Sequence, residues 1–236
     1  MSRDGVIYIA FGKFYRDEAL FSARSLKRHC DLPVTLFTDI ATDDPAVDRV
    51  EIIDPTHKRA KIDYIGSSPY ERTLYLDSDT MVVRDIRDVF VVLDRFNVAG
   101  VHDHSRKCDR WAKVIEEYAA IPYAFPEYNG GVLLFDASPA SKAFLALWRE
   151  LFHRYRDRTN GQDQATLRIA LWQSGVALHS LPFEYNVRNA KIRQKMAKRA
   201  RRREAGLLAP RILHWHGLDN RWPLASLFSR YRPMKY

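Results

Sequence analysis

Short apolar runs alternate with helical patterns along this chain. This alternation limits the folds that the chain can adopt more than any other feature of the sequence. Three segments place apolar residues at helical spacing: 17–29, 138–155 and 162–173. Eight runs have the length and the β-branched or aromatic content of buried strands: residues 6–11, 34–39, 50–54, 73–77, 97–101, 130–136, 176–181 and 211–216. Strands that alternate with helices predict an α/β protein, with a mostly parallel, Rossmann-like central sheet flanked by helices.

The predicted helices carry end signals. Asp17 is expected in the first turn of the first helix, because a negative charge is favourable at the positive end of the helix dipole. Ser138 is expected to cap the second helix, with Pro139 in its first turn. The second helix also has an apolar stripe, which predicts its buried face: Phe144, Leu147, Trp148, Leu151, Phe152 and Tyr155.

The cysteine count and the N-terminal residues bear on the compartment. Cys30 and Cys108 are the only cysteines of the 236 residues, too few for a disulfide framework. The first residues contain no long apolar stretch of the signal-peptide kind, and no run reaches the roughly 18 apolar residues of a membrane span. We therefore expect one large cytoplasmic domain.

Two carboxylates follow one of the predicted strands, in the stretch RTLYLDSDTMVV (72–83). Side chains two residues apart on extended backbone point the same way, so Asp77 and Asp79 are predicted to face one region beyond the strand end, where open α/β sheets bind ligands. Like charges repel, and a hard divalent cation is the usual reason to hold them together. An acidic surface turn is the alternative.

A phosphatase also fits this stretch, because LDSDT resembles the first motif of haloacid-dehalogenase-like enzymes. In that class the motif stands near the start of the chain and an aspartate pair follows later. Here it lies a third of the way along, and the only Asp-Asp pair, Asp43-Asp44, comes before it. The phosphatase hypothesis leaves the later motifs unexplained.

Three later motifs complete a pattern: EYNGGVLLFD (127–136), GQDQATLRIAL (161–171) and RILHWHG (211–217). With the DxD motif in front, their order resembles the GT-A-fold, metal-dependent glycosyltransferases of family eight, the group of glycogenin and bacterial lipopolysaccharide galactosyltransferases. The resemblance spans about residues 6–222. It implies one GT-A domain over 1–236, with a nucleotide-binding half (1–105) and a donor-sugar and acceptor half (106–236).

The resemblance also implies roles for individual residues. Asp77, Asp79 and His214 would bind Mn²⁺ or Mg²⁺. His216, two residues after His214, is expected to face the same side of the predicted strand and is the next candidate ligand. Asp163 and Gln164 would be catalytic, with Gln164 beneath the anomeric carbon. Contacts with the nucleotide are implied for Ile9, Ala10, Phe11, Tyr15, Lys61, Asp77 and Ser78. Contacts with the donor sugar are implied for Asn129, Gly130 and Asp163, and contacts with the diphosphate for Gly217, Asn220 and Arg221.

Two departures from the family pattern affect these roles. Phe11 and Gly12 stand where the family has a polar Thr/Asn pair. Asn220 stands where it has a lysine on the diphosphate, and Arg221 is expected to substitute, because a guanidinium binds phosphate in a bidentate manner. Simpler interpretations also exist: Asp163 as a helix cap, Tyr15 and Trp222 as core aromatics, and the Gly130-Gly131 pair as a packing device.

The charge is concentrated in one segment. Residues 188–211 contain ten basic residues and one acidic residue, which accounts for the whole net charge of +9. Such a run is most often a solvated loop. It could instead contact anionic lipid at the inner face of the membrane, or bind an acidic or lipid-linked acceptor. A basic arm for nucleic acid is less favoured, because it gives no reason for the four motifs to occur together.

The sequence therefore predicts a metal-dependent glycosyltransferase. It would move a sugar from a nucleotide-diphosphate sugar, UDP-linked by resemblance, to a glycan, lipid-linked or protein acceptor. The family transfers with retention of configuration. The nucleic-acid-binding protein and the phosphatase-like hydrolase remain the alternatives.

Overall fold

The computed structural model describes residues 3–103, 109–188 and 209–218 and shows a central seven-stranded sheet. Its strands are β1 (Asp4–Ala10), β2 (Val34–Thr38), β3 (Arg49–Ile52), β4 (Arg72–Leu76), β6 (Val98–His102), β7 (Tyr128–Asp136) and β8 (Leu178–Ser180). They lie in the order β3-β2-β1-β4-β7-β6-β8. Among the strand pairs of this sheet, in the residues that the structure describes, only β4–β7 and β7–β6 are antiparallel. The predicted α/β class with a mostly parallel sheet is confirmed.

Helices cover both faces of this sheet. On β1, Val6 and Tyr8 face one way and pack in a core that includes α1 (Lys13–Lys27). Ile7 and Ile9 face the other way and pack in a core with α5 (Pro139–Tyr155) and α6 (Gln164–Gln173). Because both faces of the strand are buried, its sequence is continuously apolar rather than alternating.

Helix α5 is formed as its sequence predicts. The hydroxyl of Ser138 accepts a hydrogen bond from the Ser141 N–H at 3.2 Å, which satisfies one of the unpaired donors at the helix start. Pro139 occupies the first turn. Five of the six residues in the predicted stripe are buried, and Leu147 is half-buried.

The predicted start of the first helix is wrong, because α1 begins at Lys13 rather than near Asp17. Gly12 has φ +83°, a left-handed conformation that lets the chain leave β1 and enter the helix at once. The Gly12 N–H donates to Asp39 Oδ1 at 2.8 Å. Asp17 lies inside the helix, where it pairs with Lys13 and Arg16.

The last predicted strand does not join the central sheet. Strand β9 (Ile212–His214) pairs antiparallel with β5 (Thr80–Val82), a strand of three residues that was too short to predict. These two strands form a separate ribbon. The predicted strand 211–216 is also too long, so His216 lies beyond the strand and not on its face as expected.

Short helical segments complete the described part of the chain. They are the α-helical turns α2 (Lys61–Tyr64), α3 (Asp109–Ala112) and α4 (Glu116–Ala119), and the 3₁₀ segments Ile65–Ser67, Arg87–Asp94 and Phe183–Tyr185. Most are shorter than two helical turns, too short for a period of 3.6 residues to show in the sequence.

A buried arginine on α6 holds the segment between α4 and β7. Arg168 is 2% exposed, and its guanidinium donates to the carbonyl oxygens of Tyr118, Pro122 and Phe125 at 2.8–3.1 Å. Backbone oxygens in a buried loop need such partners, because an unpaired buried polar group is costly. One side chain of α6 therefore fixes the path of residues 118–125.

We predict that Arg168→Met lowers the free energy of unfolding by about 3 kcal/mol or more, because each buried acceptor that loses its donor costs about 1–3 kcal/mol. Arg154→Met is the matched control. Its guanidinium makes an i,i+4 pair with Glu150 on the exposed side of α5, so the change should stay within about 0.5 kcal/mol. Urea unfolding measures both, and equal losses would contradict this role of Arg168.

Candidate active site

The two carboxylates and the histidine of the predicted metal site meet where the ribbon joins the sheet. Asp77 follows β4 directly, and its N–H donates to the Gly131 carbonyl of β7 at 2.8 Å. In the ribbon Thr80 pairs with His214, and the Trp215 N–H donates to the Asp79 carbonyl at 2.9 Å. Backbone pairing alone therefore brings Thr80 and His214, 134 positions apart in the chain, to one place.

The side-chain atoms of these three residues are close enough to share one ion. His214 Nε2 lies 3.2 Å from Asp79 Oδ1 and 3.6 Å from Asp77 Oδ2. One ligand atom from each residue lies within 4.8 Å of the other two. Burial alone would raise the pKa of Asp79, but the hydrogen bond and charge of His214 outweigh it and lower the pKa to about 2.

A chain of hydrogen bonds fixes the tautomer of His214. The Gly131 N–H donates to Asn129 Oδ1 at 3.1 Å, and Asn186 Nδ2 donates to the same oxygen at 2.9 Å. The remaining amide atom of Asn186, Oδ1, lies 2.8 Å from His214 Nδ1 and only accepts, so Nδ1 carries the proton. Nε2 is therefore the nitrogen that faces the carboxylates, and a metal-bound histidine is oriented in the same way, with its other ring N–H held by a second group.

Gly131 is the residue that makes room for this cluster. A Cβ at this position would lie 2.2 Å from His214 Cε1 and 2.5 Å from Asp77 Oδ2. Both distances are far inside van der Waals contact, so any other residue would push the histidine and the carboxylate apart. The glycine pair lies inside β7, which begins at Tyr128, and not at the strand entry as predicted.

A buried lysine joins the carboxylate cluster to helix α6. Lys61 Nζ lies 3.0 Å from Asp163 Oδ2 and 3.2 Å from Asp77 Oδ1, and it donates to the Gly130 carbonyl at 3.1 Å. Burial would lower the pKa of Lys61, but the charges of Asp163 and Asp77 outweigh it and raise the pKa. Lys61 is therefore a permanent cation between two carboxylates.

Asp163 and Gln164 lie at the start of α6. Asp163 occupies the N-cap position, but its side chain makes no capping hydrogen bond, so the simple helix-cap interpretation does not hold. Although burial alone would raise it, the pKa of Asp163 is lowered by the charges of Lys61 and Arg59. Gln164 Nε2 donates to Glu127 Oε2 at 2.5 Å.

A cavity of about 840 Å³ lies over these groups. It is lined by twelve of the residues predicted for the site: Ile9, Phe11, Tyr15, Lys61, Asp77, Ser78, Asp79, Asn129, Gly130, Asp163, Gln164 and His214. Ala10 is buried and does not line the cavity, and neither does Gly217. Asn220, Arg221 and Trp222 lie outside the described residues, as does the basic segment between 189 and 208.

Other residues of the site carry no sequence signal of their own. Asn186 contacts His214 and lies outside every motif. Glu127 contacts Gln164 and is the first residue of EYNGGVLLFD, but the pattern assigns it no role. The buried Glu18 of α1 lies 3.3 Å from His216 Nδ1, and this hydrogen bond raises the pKa of His216. Four further cations line the cavity: Lys58, Arg59, Arg156 and Arg188.

A second group of ligand-type residues, His57, Asp63 and His153, has a different character. The Arg59 N–H donates to His57 Nδ1 at 3.1 Å, so the ring proton lies on Nε2, which donates to Asp63 Oδ2 at 2.8 Å. A protonated nitrogen offers no lone pair to a metal. Asp63 also pairs with Arg149, so this group is a hydrogen-bonded cluster.

The sequence matches the family model described as glycosyl transferase family 8 over residues 50–222. It matches no curated protein. In the part of the chain that the structure describes, no helix is long and apolar enough to cross a membrane.

The fold is similar to those of several solved glycosyltransferases. One is the galactosyltransferase LgtC in complex with donor and acceptor sugar analogues, with a TM-score of 0.62 and 15% identity over 98% of this chain and 97% of that one. The glycosyltransferase GlyE of Streptococcus pneumoniae TIGR4 has a TM-score of 0.61 and 19% identity over 98% of this chain and 58% of that one. Mouse xyloside xylosyltransferase 1 has a TM-score of 0.55 and 13% identity over 90% of this chain and 98% of that one. These likenesses confirm the GT-A fold.

We predict that Mn²⁺ binding, measured by electron paramagnetic resonance, depends on Asp79 and on the hydrogen bond that orients His214. Asp79→Asn should abolish binding, and Asn186→Ala should weaken it by about 10–100-fold, as removal of such supporting groups does in metal sites. His153→Ala, in the second cluster, is the control and should bind like the wild type. Loss of binding in that control, or normal binding by Asp79→Asn, would contradict the assignment.

Proposed function

The chain belongs to glycosyl transferase family 8 and is a glycosyltransferase, and we propose that it uses a UDP-sugar held by a divalent metal ion. The acceptor would be a glycan, a lipid-linked glycan or a protein, and transfer would proceed with retention. The observation that carries the proposal is the convergence of Asp77, Asp79 and Nε2 of His214 at the floor of the cavity.

The donor set suits Mn²⁺, with Mg²⁺ as the second choice. Two carboxylates and one imidazole bind Mn²⁺ readily, and an octahedral ion keeps further positions for the oxygens of a diphosphate. When bound, the ion would act as a Lewis acid that neutralises charge on the leaving nucleoside diphosphate. The cations that line the cavity favour an anionic ligand in the same region.

Tyr15, Phe11 and Ile9 form the nucleotide end of the proposed site. All three line the cavity, and the aromatic rings are partly exposed, which suits stacking on a base. Ala10 is buried among them, so its predicted nucleotide contact would come from the backbone and not from the side chain. Ser78, between the two aspartates, also lines the cavity.

The donor sugar would lie between β7 and the start of α6. Asn129, Gly130 and Asp163 line this side of the cavity, and Gln164 lies next to Asp163. Lys61 is held by Asp163 and Asp77 and thereby links the proposed sugar and metal regions. The proposed role of Lys61 is to place positive charge beside the leaving diphosphate.

Gln164 limits the routes by which retention could be achieved. A double displacement needs a carboxylate nucleophile, and Gln164 has an amide. We therefore favour a front-face route, in which the acceptor attacks on the side of the departing diphosphate and a phosphate oxygen takes its proton. The cytoplasmic location, the two halves of the domain and the membrane or acceptor role of residues 188–211 stay predictions.

We predict that UDP with Mn²⁺ raises the melting temperature and that EDTA removes the shift. Ligand at 100 times its dissociation constant adds about 2.7 kcal/mol. For a chain of this size that corresponds to about 5–11 °C. The panel contains UDP, GDP, CDP and ADP, and UDP-glucose, UDP-galactose and UDP-N-acetylglucosamine are then tested for hydrolysis. Asp79→Asn is the control. Failure of every nucleotide to shift the wild type would contradict the proposal.

We also predict that Tyr15→Ala weakens UDP binding by about 5–150-fold, since stacking of a base on an aromatic ring contributes about 1–3 kcal/mol. Phe14→Ala is a matched control. Tyr15 is 44% exposed and Phe14 is 41% exposed, and their rings contact each other edge to face. Of the two, only Tyr15 lines the cavity. Isothermal titration with Mn²⁺ present measures both variants. Equal weakening by the two would show that Tyr15 acts through the local fold.

A further inference from the structure

Glu127 is a buried carboxylate behind the cavity wall, and none of the predicted roles involves it. It is 1% exposed and does not line the cavity. Its Oε1 accepts a hydrogen bond from the hydroxyl of Tyr118, and its Oε2 accepts one from Gln164 Nε2 at 2.5 Å. Across the described residues, no lysine, arginine or histidine lies within ion-pairing distance of it. A buried carboxyl group needs such hydrogen-bond partners, because an unpaired buried polar group is costly.

This contact fixes the orientation of the Gln164 amide. The amide atom that contacts Glu127 is Nε2, so the NH₂ group of Gln164 faces the carboxyl group. The amide has one other polar atom, the carbonyl oxygen Oε1, and Gln164 lines the cavity. Glu127 therefore leaves Oε1 as the end of the amide that is presented to a ligand.

Glu127 is itself held on several sides. Its carbonyl accepts from the Asp103 N–H at 2.8 Å, beside the β6–β7 pairing. Arg168 lies one turn after Gln164 on α6, and it binds the backbone of the segment that leads to Glu127. The same helix thus supplies the amide and fixes the segment that carries its partner.

We infer that Glu127 is a positioning residue for glycosyl transfer, which keeps the carbonyl oxygen of Gln164 turned toward the anomeric carbon. This inference rests on the proposed function. Positive charge develops at that carbon in an oxocarbenium-like transition state. A carbonyl oxygen stabilises this charge, whereas a flipped amide would present its N–H groups and oppose it.

The contact is tested first, without substrate, by NMR of the side-chain amides. The NH₂ resonances of Gln164 are identified by their absence in Gln164→Ala. In the wild type they should exchange slowly with water, and in Glu127→Ala exchange should become as fast as in exposed glutamines. Fast exchange in the wild type would overturn the inference.

The role is tested by turnover of the UDP-sugar that the wild type hydrolyses fastest among the three named above. Glu127→Gln keeps the volume, but an amide at position 127 can turn either its oxygen or its NH₂ group toward Gln164. We expect kcat to fall by about 10–100-fold, the scale of a misplaced active-site group, while KM and the dissociation constant of UDP with Mn²⁺ stay unchanged.

Glu117→Gln is the matched control. Glu117 also accepts a hydrogen bond from a tyrosine hydroxyl, that of Tyr155, and lies away from the cavity lining, so its kcat and KM should equal those of the wild type. Unchanged kcat in Glu127→Gln, or a parallel loss of UDP binding, would overturn the positioning role. A wild type that hydrolyses no UDP-sugar would instead overturn the proposed function and this role with it.

Discussion

The ion pairs of Lys61 are the interaction on which the architecture of the site depends. Its ammonium group is bound by Asp77 after β4, by Asp163 before α6 and by the Gly130 carbonyl of β7. Without this buried cation, carboxylates from two elements would face each other across the cavity floor, and their repulsion would grow in a medium of low dielectric. Lys61 offsets this repulsion and lets the acidic residues lie close together, and a divalent ion could then bind on the opposite side of Asp77.

The packing around this centre reinforces it. Trp148, a fully buried residue of α5, donates its indole N–H to the Asp163 carbonyl at 3.3 Å, so the hydrophobic core holds the backbone of a site residue in place. On the other side of the cluster, Gly131, Asn129 and Asn186 form the hydrogen-bond chain that sets the tautomer of His214. Site geometry of this kind is rigid because its supports are buried and mutually satisfied.

Sequence reasoning succeeded where a pattern was local and long enough to be periodic. The sheet strands and helix α5 were predicted because each has a clear apolar run or stripe. It failed for β5 and for the true start of α1: a strand of three residues has no measurable period, and the left-handed turn at Gly12 leaves no periodic trace. For the cavity, twelve of the residues named from motif order and resemblance line it, while Ala10 and Gly217 do not.

The sequence by itself determined the α/β class, the order of the motifs and the residue types that line the cavity, because each depends on neighbours along the chain. Only the tertiary structure decided that β9 forms a ribbon with β5 and so delivers His214 to Asp79. It alone also decided that Glu127 faces Gln164 and that Asn186 binds Nδ1 of His214, so that Nε2 faces the carboxylates. These contacts join residues distant in sequence through single hydrogen bonds, whose partners no periodic pattern along the chain identifies.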